Sequence, residues 1–561
     1  MRPTVRAARL ALAVGLASAS AMLGLEAAPA QAAGSHALIQ GSGSSWSSNA
    51  VNQWVADVQP SGLQVVFTAS GSAQGRKDFA YKTTDFAVSD IGYLGQDPKT
   101  GTEDTSQGRD FAYLPIVAGG TSFPYQVKQS GKLVRNIRLT GASLAKIFTL
   151  QIKYWDDPQI TKDNHGRVLP HLKIIPVVHS EGSGSTAQFT RYLDVMQPSI
   201  WRPFYGSSGS TEYYPSKTGL IAQSGSDGVM NFLSSNSANG AIGYDEYSYA
   251  LAKNYPVIKL GNQAGYYTAP TQYNVAVALT NAHINTDPDP SHCKAKGFAT
   301  SPCYLLQNLD DVYKTADKRA YAMSSYSYML IPISSTDQRM TTAKRQTIAD
   351  FMDYSVCEGQ AEMGPIGYSP LPINLAQAAF DQINKLHEAD KSVDTSHAAV
   401  TSCHNPTFDP KNPKSNYLAE IAPQPPVCDK DGAGPCSDGT STGNSNPTKS
   451  GQAPQGSTTG GTGGGSTSTG GTTTGGTTTG GTTTGSGGTT TGGSTTGAID
   501  PNTGQTIGDT STGGSGTADL QAVPANLSAS QGAGSALGVV AVLLLLGVLV
   551  TPALLAARLG R

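Results

Sequence analysis

The sequence predicts a two-lobed α/β domain followed by a flexible tail, and three observations support that prediction. Short β-rich runs alternate with helical stretches between Gly34 and Cys436, a pattern typical of α/β layers. The segment 34–436 is longer than a single hydrophobic core usually organises, so two lobes are expected. From 437 to 535 the sequence has few large apolar or charged side chains, which sets the tail apart from the domain.

The clearest elements of the domain are two strands and three helices. Runs rich in β-branched residues predict strands at 64–67 and 172–178. Apolar residues at helical spacing predict helices at 143–148, 187–195 and 341–355. Alternation of the two kinds of element along one chain favours strands covered by helices.

The first 33 residues have the three parts of a secretory signal peptide. Arg2, Arg6 and Arg9 supply positive charge, and the apolar segment Leu10–Leu25 follows them. Ala30-Gln31-Ala32 then gives the small-residue pattern of a cleavage site. A retained membrane anchor is the alternative, and the small residues and the cleavage pattern disfavour it. We therefore expect the chain to be exported across the cytoplasmic membrane.

The segment 437–535 is predicted to be a disordered Thr/Gly/Ser-rich linker. It contains 28 glycines and repeats Thr-Thr-Thr-Gly-Gly from Thr472 onward. Because it has almost no large apolar side chains, it cannot offset the conformational entropy that folding removes. O-glycosylation of its threonines would extend it further, and the sequence leaves that modification open.

The segment 537–557 is predicted to be a single transmembrane helix. It carries no charged residue and is long enough to cross about 30 Å of hydrocarbon. Arg558 and Arg561 follow it, which favours a short cytoplasmic tail at 558–561. A buried core helix is the alternative, but the preceding linker offers no core to pack against. The expected product is a membrane-anchored cell-surface protein with its N-terminal domain outside.

Charge and cysteine content narrow the possible partners. The 38 basic and 40 acidic side chains give a net charge of −2, without the basic excess that nucleic-acid binding needs. Six cysteines in an exported domain indicate disulfides rather than a metal site, since no C-x-x-C pair occurs. Six cysteines allow fifteen connectivities, and we expect neighbours to pair: 293–303, 357–403 and 428–436. No metal or cofactor is expected.

Three Gly/Ser-rich loops, each followed by a helical stretch, share one physical design. They are Gly41–Trp46, Ser70–Gly75 and Glu181–Thr186. A helix N-terminus leaves peptide N–H groups unpaired, glycine lets a ligand approach the backbone, and serine adds hydroxyl donors. Any one such loop is more simply a helix cap or a turn. Three in one exported chain favour an anion-binding site.

Further motifs point to a known family. Asp85–Asp90 has the form Asp-Phe-x-x-Ser-Asp, Ile152–Asp157 has Ile-x-x-Trp-Asp-Asp, and Gly240–Tyr247 has Gly-x-Ile-Gly-Tyr-x-Glu-Tyr. With the first and third loops, these motifs make the segment from about Ala37 to Leu386 resemble the high-affinity phosphate-binding proteins of bacterial phosphate ABC importers. No single motif is specific, but five in the family's order are.

The resemblance implies a type II periplasmic-binding fold, with two α/β lobes, a two-strand hinge and the ligand in the cleft. One lobe would comprise about 37–114 and 271–390, and the other about 115–270. The segment 391–436 would be a cysteine-containing extension, held to the body by a disulfide. The implied partners are inorganic phosphate and an ABC permease. We also expect a monomer without enzymatic activity.

The resemblance also assigns the ligand contacts, residue by residue. The three loops would contact the anion through Ser45, the backbone of Trp46, Ser72, Ser183, Gly184 and Ser185. Asp90 would be the specificity residue, because a carboxylate beside an anion is favourable only when it accepts a proton from the ligand. Hydrogen phosphate carries such a proton near neutral pH and sulfate does not. The alternative for Asp90 is an ordinary helix cap or turn residue.

One position departs from the family pattern. Where the family has an arginine two residues before its acidic Gly-Ser-Gly loop, this sequence has His179. Arginine offers a permanent, bidentate charge, whereas histidine is charged only near or below a pH of about 6.5. Phosphate binding would then weaken or favour acid pH, or the site would serve another ligand. Arg76, beside the second loop, is a hypothetical replacement for the charge, or else a solvated side chain.

Two other functions compete with phosphate capture. A Ser-His-Asp hydrolase is disfavoured because Glu181, two residues before Ser183, breaks the Gly-x-Ser-x-Gly pattern. A cell-surface oxyanion sensor or adhesion module would retain the fold without transport, and the long linker suits it. The sequence does not decide whether a permease partner exists.

Overall fold

The computed structural model describes residues 36–96, 103–398, 403–409 and 415–436. The chain divides into two units, Met1–Gly460 and Gly461–Arg561, and the described residues all belong to the first. The signal peptide (1–33), linker (437–535), transmembrane helix (537–557) and tail (558–561) predicted above lie outside them. Within the described ranges, no helix has the length and apolar character needed to span a bilayer.

The largest sheet has six strands in the spatial order β13-β6-β18-β3-β1-β2. Strands β1, β2 and β3 are parallel to one another, whereas β18 runs antiparallel to both β3 and β6. Their bounds are β1 (Ile39–Gly43), β2 (Val65–Thr68), β3 (Phe86–Ser89), β6 (Phe111–Ser122), β13 (Asp245–Glu246) and β18 (Ser324–Pro332).

Strands β6 and β18 lie in the interior of this sheet, and every residue of both is buried. β6 is mostly apolar and the second half of β18 is too, which is typical of strands covered on both faces, whereas the first half of β18 contains three buried serines. The β6–β18 ladder extends from Phe111 opposite Pro332 to Gly120 opposite Ser324. The register shifts once along this ladder, between Ser327 and Tyr328.

Two smaller three-stranded sheets come from the middle of the chain. One is parallel, in the order β11-β10-β12, and the other has the order β15-β14-β9. Their strands are β9 (Arg138–Leu139), β10 (Ile175–His179), β11 (Ile221–Gln223), β12 (Ala241–Ile242), β14 (Lys259–Gly261) and β15 (Tyr267–Thr268). The remaining strands pair in twos: β4 (Gly95–Gln96) with β5 (Glu103–Asp104), β7 (Lys128–Gln129) with β8 (Lys132–Leu133), and β16 (His283–Ile284) with β17 (Gln307–Asn308).

Helices cover these sheets. They are α1 (Ser48–Val58), α2 (Ser72–Ala80), α3 (Gly141–Phe148), α4 (Pro158–Asp163), α5 (Gly184–Met196), α6 (Pro198–Tyr205), α7 (Gly225–Ser234), α8 (Tyr247–Ala252), α9 (Gln272–Leu279), α10 (Asp310–Lys314), α11 (Thr342–Val356), α12 (Met363–Ile366), α13 (Ile373–Ala389) and α14 (Tyr417–Glu420). In α1 the buried Ala50, Val51, Trp54 and Val58 follow helical spacing, so one face packs on the core. The indole N–H of Trp54 donates to the carbonyl of Gly359 at 2.9 Å.

The predicted elements correspond to observed ones. The strand predicted at 64–67 is β2, and the three predicted helices are α3, α5 and α11, with boundaries shifted by a few residues. The strand predicted at 172–178 is β10, which begins only at Ile175. Leu172 and Lys173 bond instead to the segment at Tyr154 and Trp155, through an isolated bridge. Local pairing therefore takes the first part of the apolar run out of the sheet.

The disulfide prediction is confirmed. Cys293 pairs with Cys303, Cys357 with Cys403, and Cys428 with Cys436. The Cys357–Cys403 bond joins the C-terminal extension to the end of α11. Further along, Asp429 forms a buried ion pair with Lys259 of β14 at 2.7 Å. The described parts of the extension are thus bound to the body at two distant places.

Two helical glycines make a matched pair for testing how tightly α2 packs. A Cβ at Gly75 in α2 would lie 2.4 Å from Cα of Gly43 and 2.8 Å from the carbonyl oxygen of Ser42, both backbone atoms of β1. A Cβ at Gly228 in α7 would meet nothing closer than 3.7 Å. Gly75→Ala should therefore destabilise the protein by about 2 kcal/mol through overpacking.

Gly228→Ala is the control, and it should be neutral or stabilise the protein by about 0.5–1 kcal/mol through helix propensity. Thermal denaturation of the two variants beside the wild type measures both effects. Equal melting temperatures for the two variants would contradict the close packing of α2 against β1.

Candidate anion-binding site

Three of the predicted site segments meet at one edge of the six-stranded sheet. Parallel strands β1, β2 and β3 end at Gly43, Thr68 and Ser89, and the loops that follow carry Ser45, Ser72 and Asp90. The carboxyl ends of parallel strands lie at the same edge of a sheet, where α/β proteins commonly bind ligands. Three loops that are separated in the sequence therefore lie close together at that edge.

The third loop comes from a different sheet and touches the first group. Strand β10 ends at His179, and helix α5 begins at Gly184 with Ser183 as its cap. A Cβ at Gly184 would lie 2.4 Å from Oδ2 of Asp90 and 2.6 Å from Oγ of Ser72. Only glycine therefore permits this close approach, which brings the N-terminus of α5 directly against Asp90.

Two further contacts join the same two sheets around the site. The N–H of Ala73 donates to the carbonyl of Gly182 at 3.1 Å. The N–H and the hydroxyl of Ser226, at the start of α7, both donate to Oγ of Ser45, at 3.1 and 3.0 Å. Gly71 has a φ of +90°, which glycine adopts without strain, and this turn places α2 beside Glu181.

Asp90 is buried, and hydroxyl groups surround its carboxylate. Ser44 donates to Oδ1 at 2.7 Å and to Oδ2 at 2.9 Å, and Ser72 donates to Oδ2 at 3.2 Å. Ser327 donates to Oδ1 at 2.6 Å, and Oγ of Ser47 lies 3.3 Å from the same oxygen. Burial raises the pKa of Asp90 above its ordinary value, and the four serine hydroxyls act in the opposite direction.

Peptide N–H groups supply the donors at this site. Those of Ser45, Trp46, Ser72, Gly184 and Ser185 have no acceptor among the described residues. The hydroxyls of Ser183 and Ser185 lie 2.7 Å apart beside them. Since first-turn N–H groups carry the positive end of the helix dipole, these groups form a concentrated set of neutral donors suited to an oxyanion. The structure thus brings Ser45, Trp46, Ser72, Asp90, Ser183, Gly184 and Ser185 together.

His179 lies at the site but in a different role from the one predicted. Its Nδ1 lies 2.7 Å from Oε1 of Glu181, and its Nε2 lies 3.3 Å from the carbonyl oxygen of Tyr244. Both ring nitrogens therefore face protein acceptors, and no ring N–H remains for an anion. These hydrogen bonds do not support the direct ligand contact predicted for His179, because Glu181 and Tyr244 already occupy both of its ring nitrogens.

The charge state of His179 follows from the same contacts. Burial by itself lowers the pKa of His179, but the hydrogen bond and charge of Glu181, together with Asp245, raise it above the ordinary value. Burial raises the pKa of Glu181, but His179 outweighs that effect and lowers it. Oε2 of Glu181 also accepts from the N–H of Gly225 at 3.0 Å. The imidazolium–carboxylate pair therefore holds the end of β10 to the start of α7.

Arg76 is buried, and its charge is already used within the protein. Its Nη2 lies 2.8 Å from both Asp104 and Glu212, and its Nη1 donates to Ser89 at 3.0 Å. Burial opposes the charge, but the two carboxylates together raise the pKa of Arg76. The hypothesis that Arg76 replaces the missing family arginine is thus disfavoured, because two acidic partners balance its guanidinium.

Sequence reasoning missed two buried acids beside the site. Asp245 is buried, its Oδ1 accepts from the N–H of Glu246 at 2.8 Å, and its Oδ2 has no partner among the described residues. Burial raises the pKa of Asp245 to about 7, although the charge of His179 lowers it. Burial likewise holds the pKa of Glu246 well above its ordinary value. Both lie in the Gly240–Tyr247 motif, which could have indicated them.

The contacts within the third loop bear on the hydrolase alternative. Ser183 bonds to Ser185 and to the N–H of Thr186, whereas His179 bonds to Glu181 and Tyr244. Ser183 and His179 therefore do not form a nucleophile–base pair.

The Ile152–Asp157 motif has a structural role, since the indole N–H of Trp155 donates to the carbonyl of Gly240 at 2.9 Å.

The His179–Glu181 pair predicts a measurable protonation state. We expect both ring nitrogens of His179 to be protonated at pH 6.5, with a titration midpoint above the ordinary histidine value. Glu181→Gln removes the carboxylate while burial remains, so the midpoint should fall below that value. Long-range ¹H–¹⁵N correlation spectra across a pH titration measure both midpoints.

The sign of the linked stability follows from the same shifts. Because the pKa of His179 is raised on folding, its contribution is complete below the unfolded value of about 6.5 and is lost as pH rises through the folded pKa. The lowered pKa of Glu181 limits the ion pair on the acid side. A His179 midpoint that Glu181→Gln leaves unchanged would contradict this account.

Curated relatives and a solved structure resemble this chain over most of their own length. The phosphate-binding protein PstS of Methanocaldococcus jannaschii is 26% identical over 63% of this chain and 87% of that protein. PstS 2 of Mycobacterium tuberculosis is 28% identical over 60% of this chain and 83% of its own length. A phosphate-binding protein of Stenotrophomonas maltophilia is 15% identical, with coverages of 60% and 91% and a TM-score of 0.40.

A family comparison settles the classification. Residues 28–433 match the sequence model described as a PBP superfamily domain. The match contains all the strands, helices and site loops described above except the last few residues of the extension. Because it spans well over half of the 561 residues, the chain belongs to the PBP superfamily, the family of periplasmic-binding-protein domains.

Proposed function

We propose that this protein captures inorganic phosphate between the edge of the six-stranded sheet and the edge of the β11-β10-β12 sheet, and that it delivers the phosphate to an ABC importer. The observation that supports this most directly is the set of N–H groups around Asp90 that have no acceptor in the described ranges. Five neutral donors suit an oxyanion, and a single buried carboxylate among them suits an oxyanion that carries a proton. The named function of the PstS relatives supports the same ligand.

Asp90 is the residue that distinguishes phosphate from sulfate in this proposal. An ionised carboxylate can only accept hydrogen bonds, so it stabilises hydrogen phosphate and leaves sulfate facing it without a shared proton. An unpaired buried polar group costs about 1–3 kcal/mol, and discrimination by a missing partner can reach ~10⁴. The direct contacts come from Ser45, Trp46, Ser72, Ser183, Gly184 and Ser185, and His179 positions the third loop.

Calorimetric titration of the purified full chain with phosphate and sulfate tests the ligand and the role of Asp90 together. We expect the wild type to bind phosphate between pH 5 and 8 and to discriminate strongly against sulfate. Asp90→Asn should reduce that preference by at least about 100-fold, because the amide can donate to either anion. Absence of phosphate binding throughout this range would reject the proposed function, and an unchanged preference would reject the role of Asp90.

Asp245 should make binding depend on pH. Its raised pKa of about 7 means that it is neutral at pH 6 and ionised at pH 8, so the buried charge near the site is less negative at the lower pH. The wild type should therefore bind phosphate a few-fold more tightly, relative to Asp245→Asn, at pH 6 than at pH 8. Dividing the two affinities at each pH cancels the titration of phosphate itself. A ratio that does not vary with pH would contradict the prediction.

The proposed setting is the cell surface, with export by the signal peptide at 1–33 and anchoring by the helix at 537–557. The domain is a monomer at the end of the linker 437–535, has no catalytic role and serves a permease. The linker favours a second candidate, a cell-surface oxyanion sensor or adhesion module without transport. Loss of phosphate uptake on deletion of the gene would support the importer, and unchanged uptake would support the sensor.

A further inference from the structure

The two oxygens of the Asp90 carboxylate face different surroundings. Oδ2 lies against the N-terminus of α5, where a Cβ at Gly184 would approach it to 2.4 Å. Oδ1 accepts from Ser327 at 2.6 Å and from Ser44 at 2.7 Å, and Oγ of Ser47 lies 3.3 Å from it. Oδ2 accepts longer contacts, from Ser44 at 2.9 Å and from Ser72 at 3.2 Å. The shorter hydroxyl bonds therefore hold Oδ1, and Oδ2, beside the N-terminus of α5, is the oxygen on the ligand side.

Ser327 makes the shortest of these contacts and comes from the middle of the sheet. It is fully buried on β18, at the point where the β6–β18 register shifts. The hydroxyl of Ser47 donates to Oγ of Ser327 at 2.7 Å, so the single hydroxyl proton of Ser327 is directed to Asp90. The irregularity in the ladder therefore coincides with the residue that fixes the orientation of the carboxylate.

No cationic side chain bonds to the Asp90 carboxylate within the part of the chain described here. Charged groups on the elements around the site belong to internal pairs: Arg76 of α2 with Asp104 and Glu212, and His179 at the end of β10 with Glu181. The segment before α1 and strand β18 contribute only serine hydroxyls at this point. The ionised form of Asp90 therefore depends on hydroxyl donors, and Ser327 is foremost among them.

We propose that Ser327 is a specificity-determining positioning residue, which keeps Asp90 ionised and turns its Oδ2 toward the bound anion. This inference rests on phosphate capture as the proposed function and assigns a further residue to the same site. Ser327 acts through Asp90 and does not contact the ligand. Its hydroxyl ensures that the residue facing the anion is an acceptor only.

The consequence of removing that hydroxyl has a definite sign. Asp90 remains buried in Ser327→Ala but loses its shortest donor, so it takes up a proton at a higher pH than in the wild type. A protonated carboxyl can donate a hydrogen bond and can accommodate an anion without a proton. Ser327→Ala should therefore gain affinity for sulfate as pH falls, at a pH where the wild type still rejects it.

Two measurements on the full chain test the inference. The ¹³Cγ shift of Asp90, assigned by its loss in Asp90→Asn, reports the titration of the carboxyl without any ligand. We expect its midpoint to rise by about one pH unit in Ser327→Ala and by less in Ser47→Ala. Calorimetry with phosphate and sulfate from pH 4.5 to 8.5 should show the phosphate preference of Ser327→Ala falling about tenfold below that of the wild type.

Ser324→Ala is the matched control, because this buried serine of the same strand donates to the carbonyl of Tyr321 instead of to Asp90. It should leave both the Asp90 midpoint and the anion preference unchanged. An Asp90 midpoint in Ser327→Ala equal to that of Ser324→Ala would overturn the inference. So would an equal loss of affinity for both anions, which is what a merely structural role produces. A wild type that binds neither anion would instead overturn the proposed function.

Discussion

The carboxylate of Asp90 is buried where the edges of two sheets meet, and the surrounding structure offsets the free-energy cost of that burial. A buried carboxylate without hydrogen bonds is strongly unfavourable, and here hydroxyl groups from three parts of the chain satisfy it. The same requirement explains why the backbone approaches so closely at Gly184, since a side chain there would separate α5 from Asp90.

The positively charged side chains near the site are neutralised by acidic side chains of the protein itself. Arg76 lies between two carboxylates, and His179 bonds to Glu181 and to a backbone carbonyl. The donors left over are peptide N–H groups, which are neutral and fixed in direction by the helices that carry them. In the proposed function, such a site would recognise an anion by the number and direction of its hydrogen bonds more than by net charge, and the position of a single ligand proton would decide which anion binds.

Substitution of histidine for the family arginine fits this arrangement. The imidazolium holds Glu181, and Glu181 in turn accepts from the N–H of Gly225 at the start of α7. The neighbouring Ser226 then bonds to Ser45 of the first loop. The pair thus orients a chain of contacts across the site. The residues proposed to contact the anion thus differ from the residues that hold them in place.

Much of the fold and of the site was determined by local sequence. The segments at 41–46, 70–75 and 181–186 each lead into a helix, as predicted, but their bounds as loops were wrong. Gly41–Gly43 belongs to β1, and α2 and α5 begin inside the second and third segments, at Ser72 and Gly184. Neighbouring cysteines also paired as expected, because short separations keep the partners close. The start of β10 was misplaced, because pairing with the Tyr154 segment competes with the sheet.

Only the tertiary structure decided which hydrogen-bond and ion-pair partners the buried polar side chains have. Ser327 lies 237 positions from Asp90, and Glu212 lies 136 positions from Arg76, so no local pattern relates them. His179 shows the limit most clearly, since its sequence position implies a ligand contact and its hydrogen bonds imply support of a loop. Local sequence determines where backbone donors are exposed, whereas the partner of a buried polar side chain depends on which distant strands become neighbours.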